Sequence, residues 1–331
     1  MRPSSTLLIL VLFFSGFSYS PGQVQFKLAA EGGLHQFQEE QRNFIARLSG
    51  SVKYNHLFSR QFLRLQGRFS PEIIDTKNSV SSYKFSGRIE TGRHEKSYGW
   101  DGYLRLKNYY YNLDTNENIY FTIANFGLSA YRQGRSFYNY LGRVNYIYRD
   151  MNTQPANRLD AYRFAGGIFF NAYKLVNFQF LLEAERFRIE ARGLDKQNKG
   201  YRIGPEINIS HQSTLLIRGT LKYLWHDSDL HKRSGNELQS QLIIGKFLTP
   251  KWSLFAYLDY RIVDIPGEKI PEELLYASIN NENWYYLKLE FEPVRKFTVY
   301  AKAGYFRDLL EENRNSLSGI QGLIGISWKT P

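Results

Sequence analysis

Tyr201-Arg202-Ile203-Gly204-Pro205-Glu206-Ile207-Asn208-Ile209 decides the fold: every odd position is apolar, and the even positions between them are charged, small or polar. A repeat of two residues is the period of an extended strand, whose side chains point alternately to opposite faces. Leu215, Ile217, Gly219, Leu221, Tyr223 and Trp225 keep the same rule against Arg218, Thr220 and Lys222. So do Tyr285, Leu287, Leu289 and Phe291 against Lys288, Glu290 and Glu292. Outward from these segments the alternation runs from Val24 to Trp328 with no helix-length apolar segment, which predicts an all-antiparallel sheet with one oily and one wet face.

The first residues read differently. Met1-Arg2 is a short basic start, Leu7 to Phe14 is an apolar run too short to span a bilayer, and Ser15 to Gly22 is small and turn-forming. That order is the pattern of a secretory signal peptide, so residues 1–22 are expected to be removed and 23–331 to form one domain. The 331 residues contain no cysteine, which excludes disulfide staples and a lipoprotein anchor. Aromatics make up 16% with 25 Tyr, yet 22% of the chain is charged and the formal net charge is +12. A chain too polar for membrane helices and rich in Tyr fits a transmembrane β-barrel with a polar lumen.

Strands are predicted at 23–37, 43–55, 61–72, 80–93, 97–111, 118–131, 136–149, 160–172, 176–191, 199–211, 213–226, 236–248, 251–263, 283–293, 296–307 and 317–329, about sixteen in all. Connections after even-numbered strands are short, as in His94 to Lys96 and Thr249-Pro250. Those after odd-numbered strands are longer and polar, as in Asp150 to Leu159, Arg192 to Asn198, Asp227 to Gly235 and Asp264 to Glu282. Sorting of loop length by parity is what an up-and-down barrel with one short-turned end would show, and a sandwich has no reason for it.

The oily face of the seventh strand reads Tyr138, Tyr140, Gly142, Val144, Tyr146, Tyr148, aromatic at both ends and small or aliphatic between. Trp252 and Tyr260 likewise flank Leu254, Ala256 and Leu258. Amphipathic rings favour the two membrane–water interfaces and aliphatic groups the hydrocarbon between them. Everything after Gly22 therefore resembles the outer-membrane β-barrel proteins of Gram-negative bacteria, porin-like and of no assignable subfamily. Ile320, Ile324, Ile326 and Trp328 match the aromatic-ended last strand that the resemblance implies the insertion machinery reads, although Lys329, Thr330 and Pro331 follow it. No plug domain is read between residue 22 and the first predicted strand, so a TonB-dependent transporter is not expected. The resemblance implies residence in the cell outer membrane with both termini in the periplasm. It implies as partners outer-membrane lipids and lipopolysaccharide, the barrel-insertion machinery and small solutes, and leaves a homo-oligomer open.

If the oily face meets lipid, the other face lines the lumen. Arg64, Arg88, Arg105, Arg143, Arg202, Arg218 and Lys222 are the basic lumen candidates, and inward cations outnumber inward acids such as Glu31, Glu90, Glu183, Glu185 and Glu206 by about two to one. Sixteen strands generally leave an aqueous channel, and a positive wall concentrates anions. The expected function is a porin-like channel for small polar or anionic solutes. The alternative is a non-channel barrel with a structural, adhesion or envelope-assembly role, because inward Arg and Glu also pair across strands simply to brace a wall. The basic residues are spread one per pleat with no compact stacking patch, so nucleic acid is not an expected partner.

An outer-membrane lipid hydrolase is a weaker alternative. His226, Asp227, Ser228, Asp229 and His231 form the densest polar cluster, and His226, Ser228 and Asn236 loosely match the His, Ser and Asn of outer-membrane phospholipases. The cluster falls where the eleventh strand gives way to a long connection, so a polar surface loop is the preferred reading. No spacing predicts a metal site or a cofactor. Residues 264–282 form the longest connection and include Pro271 to Tyr276, which suits one helical turn; an inward constriction and a surface lid both fit.

Overall fold

A computed structural model describes residues 22–37, 42–75, 80–112, 118–134, 138–151, 157–172, 176–191, 196–229, 234–264, 283–308 and 317–330. The predicted signal peptide, apart from Gly22, and the 265–282 connection lie outside the described residues. Sixteen strands form: β1 (Gln23–Phe37), β2 (Arg42–Phe58), β3 (Gln61–Asp75), β4 (Val80–His94), β5 (Tyr98–Asn112), β6 (Asn118–Gln133), β7 (Tyr138–Met151), β8 (Asn157–Ala172), β9 (Val176–Ala191), β10 (Lys196–Gln212), β11 (Leu215–Ser228), β12 (Gly235–Phe247), β13 (Trp252–Asp264), β14 (Asn283–Val294), β15 (Phe297–Asp308) and β16 (Leu317–Lys329). Each pairs antiparallel with its sequence neighbours, and β1 pairs with β16, so the sheet closes on itself and has no free edge.

Strand period and closure together sort the side chains. Leu28, Leu48, Leu182, Ile207, Leu287 and Ile324 stand exposed on the outer face at mid-strand, while Tyr98, Tyr140, Trp252 and Trp328 lie toward one end and Tyr110, Tyr120, Tyr201 and Trp225 toward the other. Exposed aliphatic side chains between two aromatic girdles are what a wall facing hydrocarbon requires.

The end of the barrel reached after even-numbered strands is tightly turned. Ser59-Arg60 and Arg295-Lys296 each reverse the chain in two residues, with Ser59 (φ 47°) and Lys296 (φ 81°) in the left-handed region. The Lys296 N–H donates to the Glu292 carboxylate at 3.2 Å, which satisfies a donor that the turn leaves outside the ladder. At Thr249, the side-chain oxygen accepts from the N–H groups of Lys251 (3.2 Å) and Trp252 (3.1 Å). The parity of loop lengths is present but compressed: strands extend beyond the predicted ends, so the predicted Arg192 to Asn198 connection shrinks to 192–195.

The seam between β1 and β16 has its own joinery. A Cβ at Gly325 would collide with the Tyr300 ring, so the absent side chain is the space that ring occupies. From there the phenol crosses β16 and donates to Glu31 on β1 at 2.9 Å. Beside it, Thr330 donates its N–H to the Phe26 carbonyl (2.9 Å) and accepts the Phe26 N–H on its hydroxyl (2.8 Å).

The inner face is graded along the barrel axis. Toward the long-connection end its residues are shielded from solvent on strand after strand: His35, Ile45, Ser82, Tyr111, Phe121, Arg149, Leu159, Phe187, Asn198, Leu224 and Glu237. Leu159, Ala161, Phe187, Ile189 and Ala191 form one buried apolar cluster there, with Ile147 packed against it. Toward the short-turn end the inner residues Lys53, Asn55, Arg64, Gln66, Arg68, Arg105 and Arg218 are exposed. Exposed inner cations thus gather toward the short turns, and the buried apolar cluster toward the long connections.

Candidate functional site

Among the described residues two extended ion-pair networks stand out on the inner face, and both follow from register. On β8, β9 and β10 the residues Arg163, Glu185 and Arg202 stand directly opposite one another in a row, as do Glu206 and Lys222 on β10 and β11. Arg202 binds Glu185 at 2.7 Å and Glu237 of β12 at 2.6 Å, with Arg202 1% and Glu237 0% exposed. Lys222 holds Glu183 (2.6 Å) and Glu206 (2.9 Å), and Arg143 reaches from β7 to Glu206 at 3.1 Å. Pairs that skip one or two strands form only on the concave side of a strongly curved wall. The second network crosses the seam: Arg47 lies between Glu31 and Glu72, its direct neighbours in register, while Lys302 binds Glu31 at 2.9 Å and Lys84 binds Glu72 at 3.3 Å. Alternating signs in one register row neutralise each other and satisfy charges that burial would otherwise leave costly.

The predicted lumen residues divide accordingly. Arg143, Arg202 and Lys222 belong to the first network and brace the wall. Arg64 and Arg88 share Glu90 at 3.3 and 2.9 Å; Arg64 is exposed and Arg88 half-buried. Arg105 stands directly opposite Arg88 with no carboxylate partner among the described residues, and Arg218 is likewise exposed without one. Sequence reasoning did not single out Glu72, Glu237 and Arg261, although each keeps the alternation parity of an inward charge: Glu72 follows Arg64 and Arg68, and Arg261 follows Asp259. It also missed the inward apolar cluster, because Phe187 and Ile189 alternate with the charged residues Arg186, Arg188 and Glu190, reversing the polarity used to assign faces.

The His226 cluster corrects one expectation. It is not a polar surface loop at its start: β11 runs through Ser228, and both His226 and Ser228 are buried on the inner face. Asp227 points the other way and accepts the Tyr201 hydroxyl at 3.0 Å. Asn236 pairs with Trp225 in register and so stands on the outer face, opposite to His226 and Ser228. The three residues of the phospholipase-like match are therefore not brought together. His231 lies outside the described residues. Among the described residues no group of three His, Asp or Glu is placed to hold a metal ion.

The architecture is a known one. The fold is that of outer-membrane β-barrels: CdiB from Acinetobacter baumannii superposes with a TM-score of 0.50 at 11% identity over 94% of this chain. This chain spans 61% of CdiB's length. The siderophore receptor PirA from Pseudomonas aeruginosa gives a TM-score of 0.47 at 9% identity, covering 95% of this chain and 82% of the receptor. The ferric-catecholate import receptor Fiu from E. coli gives 0.45 at 7% identity, over 94% and 82% of the two chains. No protein-family model and no curated protein sequence matches the chain.

Proposed function

We propose that this protein resides in the outer membrane of a Gram-negative cell and works as a porin-like channel that draws small anionic or polar solutes into a basic lumen, with passage restricted at the long-connection end. The observation that carries this reading is the exposed set Lys53, Arg64, Arg68, Arg105 and Arg218 inside a wall whose outer face is apolar. Cations on the low-dielectric wall of a wet cavity raise the local anion concentration. Lipid tails meet the aliphatic belt, lipopolysaccharide the outer rim, and the barrel-insertion machinery the last strand.

Conductance across a planar bilayer tests the proposal. Discrete anion-selective steps are expected, and neutralising Arg64, Arg105 and Arg218 together lowers the anion-to-cation permeability ratio. The change shrinks at 1 M salt, where the screening length is about 3 Å. Unchanged selectivity in that variant overturns the anion-channel reading.

The shielded inner residues at the long-connection end favour a second reading, a non-channel barrel with a structural, adhesion or envelope-assembly role. The two separate cleanly. A channel restricted there gains conductance when Phe187 and Ile189 are truncated to Ala, whereas a barrel without a transport role stays silent in both forms.

A further inference from the structure

The register of β1 to β5 places like charges in rows on the inner face, in contrast to the sign-alternating rows described above. One row reads Lys27, Ser51, Arg68, Ser86, Lys107 across the five strands. The next, toward the short turns, reads Gln25, Lys53, Gln66, Arg88, Arg105, and the third Gln23, Asn55, Arg64, Glu90, Tyr103. Three rows thus hold seven cations and a single carboxylate, Glu90. Arg88 and Arg105 face each other directly, an arrangement that destabilises a sheet in the absence of a counter-charge. Lys53, Arg68 and Arg105 are exposed and have no carboxylate partner among the described residues.

We propose that this half-wall is a binding site for an extended acidic oligosaccharide, entering from the short-turn mouth. The inference rests on the basic lumen proposed above and names the ligand class that it takes. Strands lie about 4.8 Å apart, so the five-strand arc is about 19 Å long and cations recur in the first row about every 10 Å. A lone phosphate or carboxylate cannot engage such an array. A linear chain bearing one carboxylate per two sugar units matches that recurrence. The interleaved Ser51, Ser86, Gln66 and Asn55 supply neutral hydrogen-bonding groups of the kind that sugar hydroxyls need, at positions where a purely electrostatic surface would carry more charge. Aromatic rings hold two of the cations: Tyr103 lies 4.7 Å from the Arg88 guanidinium, and Phe62, buried against His94, lies 4.5 Å from that of Arg64. On the opposite wall, β7 to β12, the charges of Arg143, Arg163, Glu183, Glu185, Arg202, Glu206 and Lys222 are paired, and Arg218 is a lone exposed cation with no row of like charge beside it among the described residues.

Calorimetric titration of the full-length protein in detergent with a hyaluronan hexasaccharide tests the site, with neutral maltohexaose and tripolyphosphate as comparators. Saturable binding of the hexasaccharide, weakened about tenfold or more in a Lys53→Gln, Arg68→Gln, Arg105→Gln variant and unaffected by Lys246→Gln on the outer face, in register with Leu215 and Leu254, is expected. Tripolyphosphate binding at equal or greater strength overturns the sugar assignment, and equal loss in the Lys246→Gln control overturns the location. A heat-modifiable band in every variant establishes that the barrel has folded. Binding without conductance removes the channel and keeps the site; conductance without binding removes the site and keeps the channel.

Discussion

Arg202 illustrates how a charge survives inside this wall. Its guanidinium is almost wholly removed from solvent and bridges Glu185 and Glu237. Removing one member of such a set strands the others, so Arg202→Met is expected to cost about 3–5 kcal/mol, read from equilibrium unfolding in lipid. Adding Glu185→Gln, whose other partner Arg163 keeps Glu183, recovers part of that loss, and no recovery refutes the bracing role. The outer face obeys the opposite rule: Arg at Leu289, exposed on the lipid side, costs about 2–4 kcal/mol near mid-bilayer, whereas Arg at Ser253, an inner position beside Glu290, costs much less. Equal costs at the two positions refute the lipid-facing assignment. The face of Arg202 was legible because Tyr201 and Ile203 flank it. Its partner was not, since Glu237 lies 35 residues away and meets it only through the curvature of β10 to β12.

At the scale of elements, the joint between β15, β16 and β1 depends on one missing side chain. Gly325→Leu places atoms where the Tyr300 ring lies, so the phenol leaves Glu31 and the seam loosens. The expected loss is about 1–3 kcal/mol, seen as a lower temperature for the conversion of the heat-modifiable band, and Tyr300→Phe should lose less because the ring still fills the space. A Gly325→Leu variant as stable as the parent refutes the packing account. Strand identities were all legible from period alone, with β1, β9 and β16 predicted to their terminal residues. The ends of β2 and β10 were not: His56 to Phe58 and Lys196 to Asn198 are in the ladder because a neighbouring strand supplies hydrogen bonds there, a nonlocal cause that local apolar periodicity does not record.

The whole molecule is a closed barrel with a short-turn end and a long-connection end, and its orientation is open to direct test. A tag placed in the connection between β7 and β8, or after Asp229 at the end of β11, should be labelled on intact cells. A tag at Thr249 in the short turn should be reached only after the membrane is opened. Labelling at Thr249 on intact cells means the barrel is inverted. Asn236 is a poorer site for insertion, because it lies within the β12 ladder. The closed barrel and its strand number could be anticipated from sixteen amphipathic segments. The packed end could not, because Phe187, Ile189, Leu159 and Phe121 are apolar residues on the face that is polar elsewhere. The β1–β16 seam also sets an order of events in time. Phe26 and Thr330 are 304 residues apart in the chain, so the first edge waits for the last strand before its ladder can form. Until then two unsatisfied strand edges are available to any other chain, and loop-closure entropy makes their meeting slow. The interval between the end of synthesis and seam closure is therefore the period of greatest vulnerability to aggregation. A holding factor that shields β1 and β16 would protect this protein more than one that acts on any interior hairpin.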